Sequence, residues 1–289
     1  MLYITSLCSK KERIDEAIKE LAQLGFKNIE LTGKTKFYSG LKKDLFDLKN
    51  KYQLNFLIHN YFPPQADEFV LNLASEDAAL KEKTLTLIKE AVGLLREFEV
   101  ELYSIHPGFR KDLSPKLQDG FFANKTETFT RRENFYQMLD FVVKEIVPEG
   151  FRIAVENLCP KASTDLYSFV SSPRDIEEFL GFFQDKPNIG ILLDFGHLNV
   201  TSNYLNFDKA KIAKELFLKY KDRIFEVHLS ENDGYKDSHN ISSIDSWQIE
   251  LLAKNKEAIR DIPIVLEWHY AAGPSAYRNF EAIKNKLGF

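Results

Sequence analysis

Residues 153–160, IAVENLCP, form a short apolar run that ends in a carboxylate and an amide, Glu156 and Asn157. A buried strand with an acid at its carboxyl end is how a (β/α)8 barrel builds an active site. Several other segments of this chain end in the same way. We therefore expect the polar residues at these strand ends to converge on one metal centre.

Apolar runs rich in β-branched and aromatic residues alternate with segments of helical period along the chain. Eight such runs are predicted strands, at 2–7, 27–31, 54–59, 100–106, 151–156, 189–194, 223–228 and 262–267. A helix is predicted after each of them, including one over 207–220 and one over 247–260. Near-continuous apolar strands are typical of a parallel sheet that is covered on both faces.

The alternation of strands and helices is compatible with two folds, and the positions of the polar residues favour one of them. A doubly wound open sheet would concentrate site residues at one switch point, whereas here they end strands across the whole set. We find no linker, low-complexity segment or internal repeat. The sequence therefore predicts an α/β fold, a (β/α)8 TIM barrel, as a single domain over 1–289.

Composition limits the class of protein. The 289 residues carry a net charge of −4, which argues against a generally basic surface that coats nucleic acid but leaves room for a local basic groove. The two cysteines, Cys8 and Cys159, have no paired spacing and suggest a reducing compartment. The first residues are too little apolar for a signal peptide, and no segment approaches a membrane span. We expect a cytoplasmic protein without a membrane partner.

All six histidines lie at predicted strand ends or just beyond them. They are His59, His106, His197, His228, His239 and His269. A single histidine in such a place is more often a satisfied core or surface residue than a ligand. Six of them distributed in this way indicate a shared site.

Carboxylates accompany these histidines. Glu156, Asp194 and Glu267 each end a predicted strand, and Asp237 and His239 form a D-x-H pair on a loop. A buried carboxylate without a partner is costly, so it needs a cation. Mixed imidazole and carboxylate sets favour zinc, manganese or cobalt over calcium or magnesium. We predict a divalent metal cofactor, with one ion favoured and up to three possible.

Other residues near these strand ends have predicted roles. Asn157 is predicted to orient Glu156 by hydrogen bonding, and Tyr61 to stack on a sugar ring or a base. Trp268, just past Glu267, is predicted to line the substrate pocket. A salt bridge or a helix cap is the favoured role of Glu30. Cys159 lies near the predicted metal but has no base paired with it, so no nucleophilic role is assigned to it.

The longest polar interruption, at 109–129, has two interpretations. It is either a lid over a small substrate or an insertion that grips the DNA backbone and bases. Aromatic and charged residues in or near it suit either use. They are Phe121, Phe122, Arg131 and Arg132. Lys161, Arg110 and Arg131 are candidates for binding a phosphate group.

Five motifs carry a family resemblance. They are HPG at 106–108, VEN at 155–157, LLDFGH at 192–197, VHLSENDG at 227–234 and VLE at 265–267. Over nearly its whole length, the chain resembles the xylose isomerase-like TIM barrels. This superfamily includes sugar isomerases and epimerases of the tagatose 3-epimerase kind, and also endonuclease IV.

The epimerase branch implies one divalent ion held by four residues. The matching positions are Glu156, Asp194, His228 and Glu267. By this resemblance, the two catalytic glutamates exchange a proton with a substrate carbon through an enediolate. The substrate would contact His59, His106 and His197. The arginine expected shortly after the strand-seven histidine is absent here.

The endonuclease IV branch implies a three-zinc cluster with nine protein ligands. The matching positions are His59, His106, Glu156, Asp194, His197, His228, Asp237, His239 and Glu267. The segment ENLCPKAS replaces the glycine-rich run that this branch has after the strand-five acid.

We rank a sugar or sugar-phosphate isomerase or epimerase first, which implies a small-molecule partner. Zinc-dependent cleavage of abasic DNA is the alternative, and only this reading implies a nucleic-acid partner. The resemblance also implies a possible homo-oligomer.

Overall fold

Eight parallel strands close into a barrel in the computed structural model, which describes residues 1–116, 120–123, 129–160 and 168–289. The barrel strands are β1 (Leu2–Thr5), β2 (Asn28–Leu31), β3 (Asn55–His59), β4 (Leu102–Ile105), β7 (Arg152–Glu156), β8 (Ile189–Asp194), β9 (Ile224–Leu229) and β10 (Ile264–Leu266). Around the barrel they are hydrogen-bonded in the order β1-β10-β9-β8-β7-β4-β3-β2. The predicted (β/α)8 TIM barrel is confirmed.

The described residues form ten α-helices around this barrel. They are α1 (Ile14–Leu24), α2 (Leu41–Tyr52), α3 (Ala78–Phe98), α4 (Arg132–Glu145), α5 (Pro173–Phe182), α6 (Phe195–Leu205), α7 (Lys209–Tyr220), α8 (Trp247–Ala253), α9 (Lys256–Ile259) and α10 (Pro274–Leu287). None of the helices in these ranges has the length and apolarity that a membrane crossing requires.

Two helical predictions differ from the structure. The predicted helix over 247–260 is divided into α8 and α9, and α6 was not predicted. Helix α6 begins directly at the end of β8, where the Asp194 side chain accepts a hydrogen bond from the His197 backbone N–H at 2.5 Å. Its first eight residues are all buried. A helix buried on every side lacks the amphipathic period on which the prediction depended.

The predicted loop at 109–129 contains an antiparallel hairpin. Its strands are β5 (Leu113–Lys116) and β6 (Gly120–Ala123). The side chains of Phe121 and Phe122, as well as residue Lys161, lie outside the described residues. The lid and the DNA-contact interpretations of this segment therefore both stay predictions.

The inner face of the barrel carries the site residues on top of a small apolar layer. This layer consists of Tyr3, Leu57, Leu102, Ala154, Leu192, Phe225 and Val265, and it is separate from the larger core cluster. Side chains alternate between the two faces of a strand. Residues two positions after a member of the layer therefore point into the same interior. They include His59, Ser104, Glu156, Asp194 and Glu267.

Gly190 brings strands β8 and β9 together below the site. A Cβ atom at this position would lie 2.4 Å from the backbone oxygen of Arg223 and 2.6 Å from the Phe225 ring. The pairing of these strands continues upward to Asp194 and His228, which are direct partners in the register. A side chain at position 190 would disturb the alignment of these two residues.

We expect Gly190→Ala to lower the free energy of unfolding by about 1–3 kcal/mol, because the added methyl group overpacks a closed interior. Urea denaturation measures this change. Gly93→Ala is the matched control, since a Cβ there meets no atom within 4 Å in the interior of α3. The free energy of unfolding of this control is expected to rise by about 0.5–1 kcal/mol, because alanine has a higher helix propensity than glycine. Equal effects of the two variants would contradict the assigned role of Gly190.

Candidate metal centre

The nine residues that match the endonuclease IV ligands lie in one connected group at the carboxyl ends of the barrel strands. Each member has an imidazole nitrogen or a carboxylate oxygen that lies 2.9 to 3.9 Å from such an atom of another member. The members are His59, His106, Glu156, Asp194, His197, His228, Asp237, His239 and Glu267. The group includes all four positions that match the epimerase ligands.

Glu156 occupies the middle of this group, with imidazoles beside both of its oxygens. Its Oε2 lies 3.0 Å from Nε2 of His106 and 3.3 Å from Nε2 of His59, and its Oε1 lies 2.9 Å from Nδ1 of His197. The Glu156 side chain is buried. Its two oxygens thus face different histidines, so Glu156 could offer a ligand atom on either side.

The approach of these atoms fits a shared cation. Oε2 of Glu156 has no hydrogen-bond partner among the described residues, although two ring nitrogens lie close to it. Ligands at about 2.0–2.1 Å from one tetrahedral zinc ion stand about 3.3 Å apart. The residues present therefore fit a divalent metal ion.

A second set of donors matches the epimerase ligands. One ligand atom from each of Glu156, Asp194, His228 and Glu267 lies within 4.8 Å of the others. Nδ1 of His228 is 3.3 Å from Oε2 of Glu267 and 3.9 Å from Oδ2 of Asp194. All four side chains are buried, so this set can also hold a divalent ion.

A third set of donors lies toward the loop after β9. Nε2 of His197 is 3.3 Å from Oδ2 of Asp237, and Oδ1 of Asp237 is 3.0 Å from Nε2 of His239. Nδ1 of His239 lies 3.2 Å from Oε2 of Glu267. Asp237 thereby connects two imidazoles through its two oxygens, as Glu156 does.

The electrostatics of the centre show a deficit of positive charge. Burial raises the pKa of Asp194 to about 7. Burial also raises the pKa of Glu226 to about 7, and the hydroxyl of Ser104 donates to this carboxylate. Burial by itself would raise the pKa of Glu156, but adjacent histidines hold it well below its usual range. Bound cations would favour the ionised form of all these acids.

Glu30 makes the predicted ion-pair contact, and its partner His228 places it beside the candidate site. It is fully buried at the end of β2, and its Oε1 lies 2.9 Å from Nε2 of His228. A carboxylate accepts and does not donate, so Nε2 donates to Glu30, and Nδ1 is the nitrogen directed at Glu267. A signal was present in the sequence, because Glu30 stands between the apolar Ile29 and Leu31 of a buried strand.

Two predicted contacts need correction. Trp268 is fully buried in the large core cluster, where its indole N–H donates to Oγ of Ser242 at 3.2 Å. It does not line the substrate pocket, because Glu267 points into the barrel and the next residue points away from it. His269, which follows, stacks on His239 with ring centroids 3.9 Å apart.

The second correction concerns Asn157, which is predicted to orient Glu156. Its side chain holds the backbone of Asp194 instead, donating to the carbonyl oxygen at 3.0 Å and accepting from the N–H at 2.7 Å. The backbone oxygen of Asn157 accepts from Nδ1 of His197 at 2.9 Å. Tyr61 presents its ring edge to His106, with centroids 5.6 Å apart.

We expect Glu30→Gln to weaken divalent metal binding by about 10–100-fold, the usual cost of losing a carboxylate behind a ligating histidine. Isothermal titration of metal-free protein with zinc measures the affinity. The control is Glu257→Gln, at an exposed side chain on α9. Unchanged affinity in Glu30→Gln, with circular dichroism showing an intact fold, would contradict the role assigned to Glu30.

Comparison with curated proteins finds relatives that cover most of the chain. An uncharacterized protein of Methanocaldococcus jannaschii is 26% identical over 267 residues, which are 91% of this chain and 82% of the relative. Apurinic-apyrimidinic endonuclease 1 of Saccharomyces cerevisiae is 24% identical over 257 residues. That alignment covers 82% of this chain but 61% of the yeast protein, so the chain spans less than two thirds of its length.

Solved structures of two enzyme groups share the fold. A D-tagatose 3-epimerase-like protein superposes with a TM-score of 0.70 at 22% identity, over 99% of this chain and 96% of the other. Endonuclease IV from Thermus thermophilus superposes with a TM-score of 0.61 at 17% identity, over 99% and 98%. A family model described as a xylose isomerase-like TIM barrel matches residues 18–278. The chain therefore belongs to the xylose isomerase-like TIM barrel family.

Proposed function

We propose that the protein is a hydrolase of phosphoester bonds that uses a centre of several divalent ions, with the phosphodiester of abasic DNA as the first substrate to test. The observation that carries this proposal is the connected group of nine donor side chains, in which both oxygens of Glu156 face imidazoles. A single ion needs about three to four protein ligands. Nine donors in one group are therefore more than one ion requires.

Several ions suit this chemistry. When bound, divalent ions supply Lewis acidity toward a phosphoester and activate water, and a pair of ions stabilises both the attacking and the leaving oxygen. The residues of the chain hold the donors in place. Asn157 fixes the backbone of Asp194, and Glu30 fixes the ring of His228. The centre is thus organised by partners behind the ligands.

Positive side chains on two loops at the mouth of the barrel support an anionic, base-containing substrate. The loops after β2 and β4 carry Lys34, Arg110 and Lys111, although the whole chain has a net charge of −4. Such positive side chains attract a phosphate backbone. Tyr235 is 70% exposed on the loop after β9, and an exposed ring offers a face on which a base can stack.

A sugar or sugar-phosphate isomerase or epimerase is the second candidate. Its support is the four-residue set of Glu156, Asp194, His228 and Glu267, which is sufficient for one ion and includes both predicted catalytic glutamates. The full-length likeness to a D-tagatose 3-epimerase-like protein adds to this support. The geometry favours it less, because both oxygens of Glu156 face imidazoles, whereas proton exchange needs an oxygen directed at the substrate carbon.

One variant separates the two functions. We expect zinc- or manganese-loaded protein to nick a duplex oligonucleotide at a single abasic site, as followed by gel electrophoresis. The double variant Asp237→Ala with His239→Ala removes two of the nine donors but none of the four epimerase ligands and none of the expected substrate contacts. Its nicking rate should fall by about 100-fold or more, the upper range for damage to a metal site.

The same preparations are to be tested on a panel of ketoses and ketose phosphates by chromatography. Absence of nicking, together with epimerisation that survives the double variant and is lost in Glu156→Gln, would overturn the hydrolase proposal in favour of the epimerase. Metal-depleted protein is the control for both reactions, because neither should proceed without the ion.

A further inference from the structure

We propose that Cys159 is a metal ligand that joins His197 and Asp237 of the third set of donors. One ligand atom from each of these three residues lies within 4.8 Å of the other two. The inference rests on the proposed metal centre and is independent of whether the substrate is a phosphodiester or a sugar.

The position is built into the interior of the protein. Cys159 is 2% exposed and His197 is 5% exposed, and the Asp237 side chain is 5% exposed. Asp237 comes from the loop after β9, whereas Cys159 follows β7 and His197 lies on α6. Three separate segments therefore direct donors of three kinds to one place.

The hydrogen bonds of His197 direct one nitrogen to this position. Its Nδ1 donates to the backbone oxygen of Asn157 at 2.9 Å, and that residue is itself fixed by two bonds to Asp194. Because Nδ1 is occupied by this bond, Nε2 is the nitrogen that would bind an ion. Nε2 is the atom that lies 3.3 Å from Oδ2 of Asp237.

The two cysteines of the chain differ in their surroundings. Cys8 belongs to the large apolar core. Cys159 belongs to none of the apolar clusters of the described residues, whereas its neighbour Leu158 packs with Val70, Phe109 and Leu113. Packing of Leu158 on that side leaves Cys159 on the side of His197. An environment of imidazole and carboxylate is that of a ligand rather than of a core cysteine.

A thiolate ligand has a consequence for the identity of the metal. Cysteine sulfur selects zinc, or cobalt as its substitute, over manganese and magnesium, while carboxylates accept all of these ions. On binding, the thiol releases its proton to solvent and the thiolate forms the bond to the ion. We therefore infer that this position holds zinc even when manganese fills the rest of the centre.

Cobalt spectroscopy tests the ligand directly. The metal-free full chain is titrated with Co²⁺ as wild type, as Cys159→Ser and as Cys8→Ala. A thiolate-to-cobalt charge-transfer band in the near ultraviolet is expected for wild type and Cys8→Ala, and is expected to be lost in Cys159→Ser. Bound cobalt without this band in wild type, or an unchanged band in Cys159→Ser, would overturn the ligand while leaving the centre intact. Absence of any bound cobalt would refute both.

A second measurement uses wild type only and so avoids any folding defect of the variants. Alkylation of Cys159 by iodoacetamide is followed by peptide mass spectrometry in metal-free, zinc-loaded and manganese-loaded protein. Zinc is expected to slow the alkylation of Cys159 by about 10-fold or more, since a metal-bound thiolate is a poor nucleophile. Manganese is expected to leave the rate unchanged. Equal rates in all three samples would overturn the proposal.

Discussion

The burial of carboxylates at one end of the barrel is the constraint on which the rest of the site depends. Six acids lie in contact with the histidines there. They are Glu30, Glu156, Asp194, Glu226, Asp237 and Glu267. Imidazoles offset only part of this negative charge, and an uncompensated buried carboxylate is costly. Divalent cations would supply the missing charge, and under the proposed function the same cations would supply the chemistry that a hydrolase needs.

The barrel makes this concentration of charge possible. Its lower interior is filled by apolar side chains such as Leu57, Ala154, Leu192 and Val265. Two residues further along the strands, the same inward direction delivers donors to the mouth. The apolar side chains that stabilise the barrel and the donor side chains of the site therefore form successive layers of one interior. Closure of the barrel is what brings the tips of β3 and β9 together, with the rings of His59 and His228 5.1 Å apart.

The fold and most of the donors are predictable from sequence, because strand ends coincide with acids and histidines. The partner of Glu30 could not be predicted from sequence. It is His228, which is 198 residues away in the chain and reaches Glu30 only because the barrel closes. Trp268 and Asn157 fail for a related reason: adjacency to a ligand in sequence does not say which way a side chain points. Helix α6 was not predicted because its first eight residues are all buried, which removes the amphipathic pattern. Cys159 has no recognisable spacing to His197, so only the folded chain shows its place.

Metal content measures the centre most directly. Protein purified without chelators or an affinity metal column is to be analysed by inductively coupled plasma mass spectrometry, with the chain quantified by amino-acid analysis. Nine donors at about three protein ligands per ion predict about three divalent ions per chain. About one ion per chain, unchanged when zinc is supplied in excess and then removed by gel filtration, would contradict a multinuclear centre.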